Sequence, residues 1–181
     1  MSSEKLDFQN IYQQYMLLVY NLALHYIQNI EDAEEITQDV FVKVHESLHK
    51  FSGKSSIKTW IYRITVNKSL DFIKHKKSAK RFFIFGKKSE NEREFQNHSN
   101  FEHPGIALEK KENAAILFAV INELNENQKT AFILSKLDGL SNPEIAEVMS
   151  LSISSVESLI FRAKKMLQQN LANKFEDYRK K

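Results

Sequence analysis

NPEIAEVMSLSISSVESLIFRAKKMLQQNL, from Asn142 to Leu171, reads as two short helices meeting at a tight turn. Pro143 suits a first helical turn, where its missing N–H is not needed, and Ser141 or Asn142 can cap that turn. Ile145, Ala146 and Met149 give the first helix one short apolar face. The polar interruption SLSIS ends it, and Ser152 or Ser154 can cap a second helix. There Val156, Leu159, Ile160, Ala163, Met166 and Leu167 recur at helical spacing. The other face of this helix carries Ser154, Ser155, Glu157, Ser158, Arg162 and Lys165, which can meet base edges and phosphates in a major groove. A helix-turn-helix follows from this pattern. A plain amphipathic helix pair in a bundle fits it too, and Ser150 stands where such turns often have glycine. The basic residues after the stripe favour the DNA-reading alternative.

Outward from this motif, helical periodicity continues upstream through Ala114, Leu117, Phe118, Ile121 and Leu124, then through Phe132, Ile133 and Leu137. Four helices are expected in the C-terminal half. At the other end, Phe8, Ile11, Tyr12, Tyr15, Val19, Leu22, Ala23 and Tyr26 form a long helical stripe and are expected to be core. After a break at Gln28 to Ile30, Asp32 can cap a second helix whose buried side is Ala33, Ile36, Val40, Phe41, Val44 and Leu48. FSGKSS is a loop, and Ile57, Trp60, Ile61, Ile64, Leu70 and Ile73 can anchor the helix after it. Residues 78–105 lose periodicity and end at Pro104 and Gly105, as a linker would. Phe82, Phe83, Ile84 and Phe85 within it could dock on a domain or a partner. The expected architecture is all-α: two small helical domains, 1–77 and 106–181, joined by a flexible linker.

The chain has 181 residues and a formal net charge of +3, too small to establish nucleic-acid binding by itself. The distribution of charge says more. Between Lys50 and Lys88 there are twelve Lys or Arg and one acidic residue, Asp71, whereas Glu31 to Asp39 holds five acids and no base. One surface should repel DNA and another attract it, which suggests a basic protein partner and a nucleic-acid backbone. Trp60 and a tyrosine beside Lys54, Lys58, Arg63, Lys68 and Lys74 also suit unstacked bases, although a solvated basic helix has the same composition.

Other chemistry is scarce. The absence of cysteine removes thiol catalysis and cysteine metal sites, and fits a reducing cytoplasm. No apolar signal core or bilayer-length stretch is present, so a soluble cytoplasmic protein without membrane insertion is expected. His45 and His49 lie one helical turn apart but lack the rest of a metal shell. No serine sits in a nucleophile motif and no phosphate loop accompanies the acids. The expectation is a protein that is not an enzyme and uses no cofactor or metal.

Two segments, EDAEEITQDVFVKVHESLHKFSGKSSIKTWIYRITVNKSLDFIKHKK and LNENQKTAFILSKLDGLSNPEIAEVMSLSISSVESLIFRAKKML, resemble in this order the two halves of the extracytoplasmic-function group of bacterial sigma-70-family RNA polymerase sigma factors. The resemblance implies that the helix bearing Asp32, Glu35, Gln38 and Asp39 docks on the clamp helices of core polymerase. It implies that Lys54, Ser55, Ser56, Lys58, Thr59, Trp60, Arg63, Asn67, Lys68 and Lys74 hold the melted non-template strand of the minus-ten element, with an extruded base pocketed by the loop. The helix-turn-helix would read the minus-thirty-five element as duplex, and the linker would thread toward the polymerase channels. An anti-sigma factor, often membrane-associated in this family, is an implied further partner.

The chain departs from the family at two places. Leu159 stands where relatives often have a basic residue, leaving Glu157 to select a cytosine or repel a wrong register. His45 stands where many have tryptophan. The competing readings are a conventional helix-turn-helix regulator with an N-terminal sensing or dimerisation domain, and an RNA-binding or interaction protein using the basic segment.

Overall fold

The structure, a computed structural model, describes residues 7–86 and 108–179, with side chains over 7–79 and 114–173. Every regular element among them is helical: α1 (Phe8–Ile27), α2 (Ile30–Ser47), a 3-10 turn at Leu48–Lys50, α3 (Ile57–Gly86), α4 (Leu108–Ile121), α5 (Glu126–Lys136), α6 (Asn142–Met149) and α7 (Ile153–Arg179). They fall into two compact units. One contains α1, α2 and α3 from Ile64 onward; the other joins residues 50–63 to the C-terminal helices. The linker boundary expected at Ser78 falls inside α3, which continues to Gly86. The rest of that expected linker lies outside the described residues, as do the side chains of Phe82 to Phe85.

In the first unit α1 packs on α2. Ile11, Tyr15, Val19, Leu22, Ala23 and Tyr26 are buried from one helix, and Ala33, Ile36, Val40, Phe41 and Val44 from the other. Each large apolar side chain taken out of water contributes about 1.5–3 kcal/mol. Two expected core aromatics stand further out: Phe8 is half-buried and Tyr12 is exposed. The junction between the helices is built by Gln28, whose φ of 54° lies in the left-handed region. Its side-chain amide donates to the His25 carbonyl at 2.9 Å, a contact that helps offset the strain of a non-glycine residue there. Asn29, not the expected Asp32, then caps α2, accepting from the Asp32 N–H at 2.8 Å. Asp32 lies in the first turn, where a carboxylate favours the positive end of the helix.

Of the six anchors expected on α3, only Ile61 is fully buried; its other buried residues are Thr59, Tyr62, Thr65, Val66 and Ser69. An apolar-only count overlooks the small hydroxyl side chains among them.

In the second unit α7 packs against α4, α5 and α6. Asn125 caps α5 by accepting from Gln128 N–H at 2.9 Å. At α6 the Glu144 carboxylate reaches back to accept from the Ser141 N–H at 2.8 Å and its hydroxyl at 2.7 Å. That arrangement fixes the helix start and holds the Glu144 carboxyl below its ordinary pKa, first through the Ser141 hydroxyl. Ser150 ends α6 at φ 55°, taking the conformation glycine usually supplies. Leu151 N–H then bonds the Ala146 carbonyl at 3.0 Å, closing the turn into α7.

Candidate functional site

The turn delivers α7 with a clean division of faces. Val156, Ile160, Ala163 and Leu167 are buried, and Leu159 is half-buried. Glu157, Ser158, Arg162 and Lys165 are exposed together on the other side, as their spacing predicts. Ser152 is the capping residue: its hydroxyl accepts from the Ser155 N–H at 3.2 Å and lies 2.8 Å from the Ser155 hydroxyl and 3.2 Å from that of Ser154. Ser154 and Ser155, expected as DNA contacts, therefore also belong to this cap network. Glu157 accepts from Asn142 Nδ2 at 3.4 Å, so the first residue of α6 helps aim the one acid on the exposed face.

The loop before α3 is shaped by Gly53, whose φ of +69° requires a residue without a side chain or one under strain. Ser56 caps α3, accepting from the Thr59 N–H at 3.0 Å, and its hydroxyl lies 2.9 Å from that of Thr59. Lys54 and Lys58 are exposed; Ser55 is half-buried. Trp60 packs on Phe51 with ring centroids 5.1 Å apart, and the Lys58 ammonium lies 5.8 Å from the Tyr62 ring centre. Burial, then the nearby Asp138 and Glu144 carboxylates, raise the Tyr62 pKa, so this phenol stays neutral.

Arg63 donates to the Glu147 carbonyl at 2.6 Å and the Val148 carbonyl at 3.3 Å. Thr59 donates to the Glu147 carboxylate at 3.4 Å. The terminal carbonyls of a helix lack intrahelical partners and carry partial negative charge, which suits a guanidinium. The ten residues assigned to the melted strand are not all in one unit: Lys54 through Arg63 belong to the second, and Asn67, Lys68 and Lys74 to the first.

On α2, Glu35, Gln38 and Asp39 are exposed along one face. Asp39 pairs with Lys68 at 3.2 Å, and the half-buried Asp32 pairs with Lys76. Asp32 thus ties α3 to α2 rather than standing open beside the other three. Val42, one turn beyond Gln38, is 58% exposed and extends the face with an apolar patch. Beside it lies an open groove of about 460 Å³ lined by Phe8, Tyr12, Gln38, Phe41, Val42, His45 and Glu46. His45 meets the Phe8 ring edge-on, with ring centroids 5.0 Å apart. Val42 escaped the sequence reading, whereas Tyr12, expected in the core, lines the groove instead. The available signal was that Val40, Phe41 and Val42 are consecutive, and a helix cannot bury all three on one side.

Among the described residues, no group of three or more His, Cys, Asp or Glu is placed to hold a metal ion. No described helix is long and apolar enough to cross a membrane.

Two family models match the chain, Sigma-70 region 2 over residues 11–79 and Sigma-70, region 4 over residues 114–167. The chain is 30% identical to the ECF RNA polymerase sigma-E factor of Haemophilus influenzae, an alignment covering 93% of this chain and 89% of that protein. It is 28% identical to RNA polymerase sigma factor YlaC of Bacillus subtilis, covering 94% and 95% respectively. Its fold is similar to that of RpoE from Bartonella quintana, solved in complex with the anti-sigma factor NepR, with TM-score 0.67, 21% identity and coverage of 92% and 97%. It is also similar to CnrH, solved with the cytosolic domain of CnrY, with TM-score 0.65, 20% identity and coverage of 92% and 88%.

Proposed function

We infer that this chain, which belongs to the extracytoplasmic-function group of the sigma-70 family of RNA polymerase sigma factors, docks on core polymerase through α2 and reads promoter DNA through α3 and α7. It is an alternative sigma factor that directs transcription initiation. The observation that carries the division of labour is the sorting of exposed charge. Glu35, Gln38 and Asp39 share a face of α2 with Val42, whereas Lys54, Lys58, Arg162 and Lys165 are exposed on the loop before α3, on α3 and on α7. An acidic face extended by an apolar patch suits a basic protein helix and is repelled by phosphate.

In this reading Asp39, Glu35 and Gln38 meet polymerase directly, and Asp32 supports them by holding Lys76. Lys54, Ser55, Ser56, Lys58, Thr59, Trp60 and Arg63, followed along α3 by Asn67, Lys68 and Lys74, hold the non-template strand of the minus-ten element. Cationic and aromatic contacts there offset the stacking lost on melting. Ser154, Ser155, Glu157, Ser158, Arg162 and Lys165 face the minus-thirty-five duplex. The protein acts in the cytoplasm by recruitment, without covalent chemistry, metal or cofactor. An anti-sigma factor is the proposed restraint; one fold relative was solved with the anti-sigma factor NepR and another with the cytosolic domain of CnrY.

The test is permanganate footprinting of the minus-ten thymines in complexes with core. Lys58→Ala with Arg63→Ala should reduce reactivity while leaving core binding intact; unchanged reactivity would contradict this placement. Tight, core-independent binding to an inverted repeat would instead indicate a conventional regulator.

A further inference from the structure

α3 runs on to Gly86, past residue 79 where the match to Sigma-70 region 2 ends. Its final turns have two parts in series. Residues 74–81, KHKKSAKR, hold five cations and no acid, and residues 74–79 are all exposed. Lys76 also pairs with Asp32, which ties the root of this basic stretch to α2. Phe82, Phe83, Ile84 and Phe85 follow without a polar break. At about 100° per residue, four consecutive positions are distributed round the whole circumference of a helix. A flat protein surface covers one side of such a helix end and leaves the rest of the apolar ring in water. Burial of the whole ring requires surroundings that close about the tip. The segregation is therefore along the axis rather than by face, with a basic collar about 10 Å long followed by an apolar turn.

We propose that this end of α3 is a membrane-surface anchor: residues 82–85 enter the interfacial layer of an anionic phospholipid bilayer, and the cations of residues 74–81 meet its headgroup phosphates. The inference does not depend on the roles assigned to α2 and α7. Clustered Lys and Arg beside large apolar residues is the combination by which peripheral segments hold a bilayer, since apolar burial and charge attraction add. Melted nucleic acid would satisfy the cations and stack on the phenylalanines, but Ile84 has no π-face for a base, and a phosphate backbone gives an all-round apolar tip nothing to enter. The anchor lies on the surface and does not span, in keeping with the absence of a described helix long and apolar enough to cross a membrane. Lys74 is also assigned to the melted strand, so lipid and promoter compete for α3. Association with an anionic bilayer would thus hold the chain away from transcription.

Flotation of the full chain tests this, with vesicles of equal parts phosphatidylglycerol and phosphatidylcholine set against vesicles of phosphatidylcholine alone. The chain should float with the anionic vesicles, progressively less as salt is raised, and stay behind with the neutral ones. Replacing Lys77, Lys80 and Arg81 together by glutamine should weaken binding about a hundredfold, at about fivefold for each charge lost. Replacing Phe82, Phe83 and Phe85 together by serine should also release the chain. Both variants should keep the wild-type circular dichroism and affinity for core polymerase, which separates loss of the anchor from loss of the fold. Equal flotation with both kinds of vesicle, or none with either, overturns the proposal. Wild-type flotation by the serine variant leaves charge attraction alone and overturns entry of the tip. Weakened binding to single-stranded DNA or to core polymerase in the serine variant, with flotation unchanged, overturns it in favour of a nucleic-acid or protein contact.

Discussion

Reversing Glu35 and Asp39 together to lysine separates docking from folding. Glu35 is exposed; Asp39 pairs with Lys68 at 3.2 Å, and those two side chains are 61% and 35% exposed. An exposed pair of this kind contributes about 0.2–1 kcal/mol. The double variant should therefore lose no more than about 1 kcal/mol of stability, a melting shift of about 4–8 °C in a unit of this size. Core binding should suffer far more, because two cations would then face a surface selected for acids. Like charges juxtaposed at an interface cost several kcal/mol, and each 1.4 kcal/mol is tenfold, so affinity should fall by at least about tenfold. Competition against a fluorescent reference sigma factor for core polymerase reads the affinity, and circular dichroism reads the melting temperature. Asp39→Lys combined with Lys68→Asp rebuilds the internal pair in reverse and should still bind core poorly. Recovery of core binding in that swapped variant would refute direct docking, since Asp39 would then act only by positioning α3. Equal losses in core binding and in binding to isolated promoter DNA would refute it as well.

Ser150→Gly should raise stability by about 1 kcal/mol, because glycine takes a positive φ without the side-chain penalty. Gln28→Gly should give no such gain, since it also removes the side-chain bond to His25; thermal unfolding of both variants measures the contrast. Leu134, fully buried on α5, should cost about 2–5 kcal/mol on truncation to alanine, read as a shift in the urea midpoint. The Glu144 carboxyl has a folded-state pKa below its unfolded value of 4.5, so its stabilisation is present above that pH and is lost as pH falls through the lowered pKa. The stability difference between wild type and Glu144→Gln should accordingly be greatest near neutrality and shrink in acid. A difference that grows on acidification would contradict the capping arrangement.

Much of this organisation is legible in the sequence because helical periodicity reports burial directly. The α1 stripe from Ile11 to Tyr26 and the α7 stripe through Val156, Ile160, Ala163 and Leu167 require only the spacing of apolar residues. The helix-turn-helix is equally open, since Ser141, Pro143, Glu144 and Ser152 are start signals with a local mechanism. Boundaries set by competition between neighbouring polar residues are harder. Asn29 and Asp32 can each cap a helix, and only the backbone path shows that Asn29 does. On α3, the buried Thr59, Thr65 and Ser69 have no apolar signature, so the anchors read from Ile and Leu are mostly half-buried. Arg63 and Thr59 were read as cations and hydroxyls for nucleic acid, yet their present partners are a carboxylate and carbonyls of α6, which stand far away in sequence. Val42 was hidden for the opposite reason: it lies beside Val40 and Phe41, which are buried, and only the helix phase reveals that it faces water.

Run-off transcription of fragmented genomic DNA by matched core polymerase, with and without this protein, tests the central claim most directly. New start sites preceded by shared minus-thirty-five and minus-ten motifs at a fixed separation are the predicted result. No new start, with folded protein and active core, would contradict it.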